Sequence, residues 1–92
     1  MSMRLDMFLK ISRIVPHRTQ AKKMCEEEKI RINDRMAKSA QDVHPGDILL
    51  ADFPGFRRRY RVEQVPDSRH VSRQAARELV TLLDSQRKDM LE

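Results

Sequence analysis

The sequence has no tryptophan, one cysteine, two glycines and four aromatic residues, Phe8, Phe53, Phe56 and Tyr60. Each scarcity excludes something. A lone cysteine, Cys25, forms no internal disulfide, and with the scattered His17, His44 and His70 it makes no zinc-type ligand set. Gly46 and Gly55 cannot build a glycine-rich phosphate loop. So few aromatics leave little surface for stacking on unpaired bases; any nucleic acid would be read by shape and backbone. The longest apolar runs, such as Ile48–Ala51, fall far short of the ~20 residues that span a bilayer. The first residues lack the basic-then-apolar pattern of a secretory signal, and the single thiol fits a reducing compartment, so a cytoplasmic location is expected. Asp6, Ser12 and His17 do not suggest a catalytic triad. Neither enzyme activity, a metal nor a cofactor is expected.

What is present is charge and branched apolar residues. Of 92 residues, 39% are hydrophobic and 36% charged, and the net charge is +5. A chain of this size buries only about 60–65% of its unfolded surface, so a thin core under a charged surface is expected. The pI of about 9.9 calls for an anionic partner. Nucleic acid, acidic protein and anionic membrane all satisfy that requirement.

Residues 4–15 read as a helix, with Leu5, Phe8, Leu9 and Ser12 on one face and Pro16 as its stop. Thr19 suits the N-cap of a second helix whose buried stripe is Ala21, Met24 and Cys25. Ile30-Arg31-Ile32 alternates as a strand does, and Asn33-Asp34 supplies a turn. Pro45-Gly46-Asp47 and Phe53-Pro54-Gly55 are further turns around the strand 48–51. In the strand 59–65, Tyr60 and Val62 face one way and Arg59 and Arg61 the other. After Pro66 breaks it, Ser72 is expected to cap a last helix lined by Ala76, Leu79, Val80 and Leu83. The fold class is therefore α+β: two N-terminal helices packed on a small curved sheet, plus a C-terminal helix. One domain over 3–84 is expected, with a frayed tail over 85–92.

The charge is unevenly placed. Residues 1–25 hold Arg4, Lys10, Arg13, Arg18, Lys22 and Lys23 against one acid, Asp6, while the remaining 13 bases and 13 acids cancel. The whole excess lies on the first two helices, and a sharp turn at Pro16 would gather it onto one phosphate-binding surface. A second basic group, Arg57-Arg58-Arg59 with Arg61, either extends that surface or guards an edge strand.

The ordered series Arg4-Leu5-Asp6-x-Phe8-Leu9, Ser12-Arg13, Arg18-Thr19-x-Ala21, Lys29-Ile30-x-Ile32-Asn33, Ala37-Lys38 and Asp42-Val43-x-Pro45-Gly46-Asp47 resembles the S4 RNA-binding domain. Within that family the chain looks like the RqcP group and, less closely, the small heat-shock S4 protein. The resemblance implies an RNA-binding monomer on large ribosomal subunits obstructed by peptidyl-tRNA. It would touch ribosomal RNA and tRNA, with a nascent-chain tailing factor as a further partner and no membrane. The resemblance carries RNA contact onto Arg4, Arg13, Arg18, Lys22, Arg31 and Lys38, with Asp6 orienting Arg4 or Arg18. Lys10, Lys23 and Thr19 on the same helices complete the candidate set. Two positions depart from the family: Glu28 and Asp34 stand where relatives have glycine, and a non-glycine residue with positive φ costs roughly 1 kcal/mol.

Three other functions fit parts of this pattern. A helix-turn-helix DNA regulator would use the two short helices. A generic structured-RNA module or polyanion binder would use the charge alone. An RNA-modifying enzyme would need a catalytic domain for which this length has no room.

Overall fold

The computed structural model describes residues 2–88. The chain opens with β1 (Met3–Arg4), which runs directly into α1 (Leu5–Ile11), and α2 follows over Arg18–Glu26. Then come β2 (Ile30–Ile32), β3 (Arg35–Met36), β4 (Asp42–Val43), β5 (Ile48–Phe53) and β6 (Phe56–Val62). A short helix, α3 (Arg73–Arg77), precedes the last strand, β7 (Val80–Arg87). The expected α+β class holds. β1 pairs with β4, and the other strands form one antiparallel sheet in the order β3-β2-β5-β6-β7.

Alternation in the strands decides where the core sits. Ile30 and Ile32 pair with Ala51 and Leu49, and Leu49 pairs in turn with Tyr60; all five are buried. α1 covers this core and is buried almost all round: Leu5, Met7, Phe8, Leu9 and Ile11 belong to the central cluster and only Lys10 is exposed. Its first N–H groups have no side-chain cap. Leu5 and Asp6 instead donate to the carbonyls of Gln41 (2.8 Å) and Ser39 (3.1 Å), which ties the helix start to the loop before β4.

α1 ends at Ile11, a turn before Pro16, because Arg13 adopts the left-handed conformation (φ 64°) and donates back to Lys10 O at 3.0 Å. α2 begins two residues earlier than a Thr19 cap would place it. His17 occupies its cap without a side-chain hydrogen bond, so Thr19 is not the N-cap. The helix closes on a Schellman motif with Glu28 at φ 63°: Lys29 N–H reaches Met24 O (2.9 Å) and Glu28 N–H reaches Cys25 O (3.0 Å). Asn33 (φ 51°) and Asp34 (φ 66°) make the two-residue turn between β2 and β3, which demands positive φ at both positions. Gly55, at φ 85°, follows Pro54 in the two-residue link between Phe53 and Phe56.

The C-terminal helix is present but short. Ser72 caps it as expected, accepting from Ala75 N–H at 3.1 Å, and Ala76 is buried. It does not continue to Leu83: Val80, Thr81 and Leu82 pair with Val62, Arg61 and Tyr60 of β6 instead, the register shift between Arg59 and Tyr60 skips Leu83, and Leu82 and Leu83 are both exposed. Ser85–Arg87, expected in a frayed tail, complete β7, while residues 89–92 of that tail lie outside the described residues.

Candidate nucleic-acid interface

The starts of the first two helices meet at one carboxylate. Asp6, in the first turn of α1, is 0% exposed. Its Oδ1 accepts from Arg4 Nε at 3.2 Å and its Oδ2 from Arg4 Nη2 at 3.1 Å, a bidentate pair. Arg18 Nε, from the first residue of α2, lies 3.4 Å from the same Oδ2. Burial pushes the Asp6 pKa up, but the Arg4 hydrogen bonds and the charges of Arg18 and Arg4 outweigh it, so the group sits below its ordinary 3.8. Asp6 therefore faces both arginines: it hydrogen-bonds Arg4 and makes a longer ion pair with Arg18, whose buried Nε has no hydrogen-bond partner among the described residues. Arg4 and Arg18 remain partly exposed, with side-chain exposures of 46% and 32%, so each has N–H groups left for a ligand.

Two clefts flank this cluster. One, of about 360 Å³, is lined by Arg4, Met7, Arg18 and Arg69 together with Asp42 and Asp67. The other, of about 450 Å³, is lined by Lys10, Arg13, Pro16, Arg69 and His70. Lys10 comes from the last turn of α1 and Arg13 from the left-handed residue behind it. The sharp reversal between the helices thus gathers Arg4, Lys10, Arg13 and Arg18 with Asp6 on one side of the molecule.

The other candidates sit elsewhere. Thr19 and Lys22 are exposed on α2. Lys23 lines a separate hollow with Gln20, Lys29 and Phe53. Arg31, on the outer face of β2, borders a small hollow with Glu28, Lys29, Asp52 and Arg57. Lys38 is exposed in the loop between β3 and β4.

The second basic group is largely self-neutralised. Arg57 pairs with Asp52 (3.8 Å), Arg59 with Asp84 (2.5 Å) and Arg61 with Glu63 (3.0 Å). Glu63 also accepts from Thr81 Oγ1 and, held by Thr81 and Arg61, titrates below the usual glutamate range. These arginines do not guard a sheet edge, because β6 lies between β5 and β7. Arg58 instead lies over the Phe56 ring at 4.6 Å, and Phe56 stacks on Phe53 with centroids 4.8 Å apart. Tyr60 is buried, so neither ring is presented as a base-stacking platform.

Arg69 and His70 were missed in the sequence. They sit in a polar segment after Pro66 that reads only as a strand break, and no local spacing signals that it returns to α1.

The arrangement defines a class: a small α+β domain that displays cations, fixed by a buried carboxylate, at a helix–helix corner. A family model described as S4 domain matches residues 3–49. A Bacillus subtilis protein named RQC P-site tRNA stabilizing factor is 49% identical over 51 residues, which are 55% of this chain and 59% of that protein. The alignment with that relative thus spans about three-fifths of its length. The Listeria innocua protein of the same name is 33% identical over 88 residues, covering 96% of this chain and 94% of the relative. Among solved structures, heat shock protein 15 of Vibrio cholerae superposes with a TM-score of 0.78 at 24% identity, over 89% of this chain and 82% of that one. The solution structure of a hypothetical protein, HP1423, gives 0.76 at 26% identity, over 89% and 98%. The chain belongs to the S4 domain family, in the group of the RQC P-site tRNA stabilizing factors.

Proposed function

We propose that this protein is a non-catalytic RNA-binding factor that holds ribosomal RNA and tRNA on large ribosomal subunits obstructed by peptidyl-tRNA, in rescue or quality control. The observation that carries the reading is the Asp6 cluster. A fully buried carboxylate fixes Arg4 and Arg18 at the meeting point of two helices, so the charges are pre-oriented for a phosphate backbone. The names of the relatives, which specify a P-site tRNA, support the choice of RNA. On this reading Arg4, Arg13 and Arg18 contact phosphate, Asp6 positions, and Lys10, Thr19, Lys22, Lys23, Arg31 and Lys38 widen the footprint. The protein acts as a cytoplasmic monomer, and the anchored tRNA would support a factor that tails the stalled chain.

Co-sedimentation with purified large subunits, empty and carrying peptidyl-tRNA, tests this. Binding is expected to be selective for the large subunit, stronger with peptidyl-tRNA and weakened by Arg18→Ala. That variant should stay folded, because Arg4 still gives Asp6 two hydrogen bonds. With about five phosphate contacts, log K should fall against log salt with a slope of roughly −3.5 to −4.5. Absence of subunit binding, with duplex DNA bound as well as structured RNA, would overturn the proposal.

A further inference from the structure

The family match ends at residue 49, yet both clefts beside the helices borrow a wall from twenty residues further on. That wall is the segment 66–72, and Arg69 stands between the two clefts, lining each. The segment is fastened at both ends. Before it, Val65 is buried, and the N–H groups of Glu63 and Gln64 both donate to Leu79 O, at 2.8 and 3.3 Å. At its end, Ser72 caps α3, whose Ala76 is buried. Within it, Ser68 Oγ accepts from His70 N–H at 3.1 Å. The chain thus returns to α1 as a held loop that faces the cations of the S4 helices.

The two clefts differ in charge. The cleft with Arg4 and Arg18 also has Asp42 and Asp67 in its wall. The cleft with Lys10 and Arg13 is lined by Ile11, Pro16, Arg69, His70, Val71 and Ser72, with no carboxylate among them. Among the described residues, none of Lys10, Arg13 and Arg69 takes part in an ion pair. Lys10 also complements the C-terminal dipole of α1, whereas Arg13 and Arg69 have no such structural duty. Arg13 is held at φ 64°, a conformation an arginine rarely adopts, and it lines this cleft beyond the end of the helix. Three cations outside any ion pair among the described residues, beside the apolar Ile11, Pro16 and Val71, are the donor set that an anionic phosphodiester calls for.

We propose that the Arg69 loop is the second wall of the RNA groove, and that Lys10, Arg13 and Arg69 together clamp one backbone phosphate of the RNA that Arg4 and Arg18 engage next door. This rests on the RNA-binding reading above and adds a contact from outside the S4 match. Arg69 is the central residue, since among the described residues it is the one basic side chain lining both clefts.

The test uses the full chain and large ribosomal subunits carrying peptidyl-tRNA, with affinity measured across a salt series. Arg69→Ala is expected to weaken binding roughly tenfold and to make the salt slope shallower by roughly 0.7–0.9, the signature of one lost phosphate contact. Arg69→Lys should keep the slope, and Arg87→Ala on β7 should change neither quantity. Arg13→Ala combined with Arg69→Ala should cost less than the sum of the two, because both hold one phosphate. Thermal unfolding of Arg69→Ala should match wild type. Wild-type affinity and slope in Arg69→Ala would overturn the loop's role while leaving the RNA reading intact. A loss confined to intact subunits and absent on protein-free ribosomal RNA and tRNA would overturn it too, in favour of an acidic protein partner. Failure of the wild-type chain to bind RNA at all would instead remove the reading on which the loop's role rests.

Discussion

The side chain of Asn33 is tied to Asp47 across 14 residues: Asn33 Nδ2 donates to Asp47 Oδ1 at 3.1 Å. Asn33 Oδ1 accepts from the neighbouring Ile48 N–H at 2.9 Å, and Asn33 N–H donates to Ile48 O at 2.8 Å. Asp47 uses its second oxygen to accept from His44 N–H at 2.8 Å. One amide thus joins the β2–β3 turn to the Pro45-Gly46 turn and sets the register in which β2 meets β5. Asn33→Ala is expected to lose about 1–2 kcal/mol, from two side-chain hydrogen bonds and from reduced tolerance of its φ of 51°. The midpoint of urea unfolding checks this. Combining Asn33→Ala with Asp47→Ala should cost less than the sum of the two, since they share the Nδ2–Oδ1 bond, although the loss of the His44 N–H acceptor remains.

Glu28 carries a cost that glycine would remove. It sits at φ 63° in the Schellman motif and adds a negative charge where the dipole of α2 is already negative. Glu28→Gly is expected to stabilise the domain by about 1 kcal/mol. For a domain of this size that is a rise of roughly 4–8 °C in Tm by calorimetry. An unchanged or lower Tm would show that the side chain is supported in a way the backbone does not reveal.

Asp6 makes stability depend on pH in a defined direction. Its pKa is lowered in the folded state, so its contribution is fully present above the ordinary value of 3.8 and is lost as pH falls through the lower, folded value. Asp6→Asn removes the charge from a fully buried position and leaves Arg4 and Arg18 without their anchor. A loss of about 1–3 kcal/mol is expected at neutral pH, discounted because both arginines keep solvent contact. Urea unfolding of both proteins over pH 2–7 checks it: the gap between them should close below about pH 4.

The helical corner was legible because its signals are local. Leu5, Phe8 and Leu9 at helical spacing, Ile30-Arg31-Ile32 alternation and the lone acid Asp6 among six bases need only near neighbours to be read. The Val80–Leu83 stretch was not legible. Ala76, Leu79, Val80 and Leu83 satisfy a helical face, and only the presence of β6 as a hydrogen-bonding partner makes Val80 and Leu82 a strand instead. The end of α1 was misplaced for a similar reason: Pro16 is a visible stop, whereas a left-handed arginine at position 13 has no sequence signature. Arg69 joins the site solely through tertiary return of its loop, which no spacing rule encodes.

Cys25 gives the last prediction. Its side chain is buried against the core beside Ala21 and Met24, and burial, followed by the charges of Asp6 and Glu26, raises its pKa from 9.0 to about 11. The thiolate is the reactive form, so two units leave roughly a hundredth of the thiolate that an unperturbed thiol would have at pH 8. Alkylation by iodoacetamide at pH 8 is therefore expected to be at least ~100-fold slower in the native protein than in urea. Any residual rate should follow the unfolding equilibrium, so Glu28→Gly should slow it and Asn33→Ala should hasten it. Native labelling as fast as in the unfolded chain would mean that Cys25 is an accessible thiol and that the α2 stripe does not pack as described.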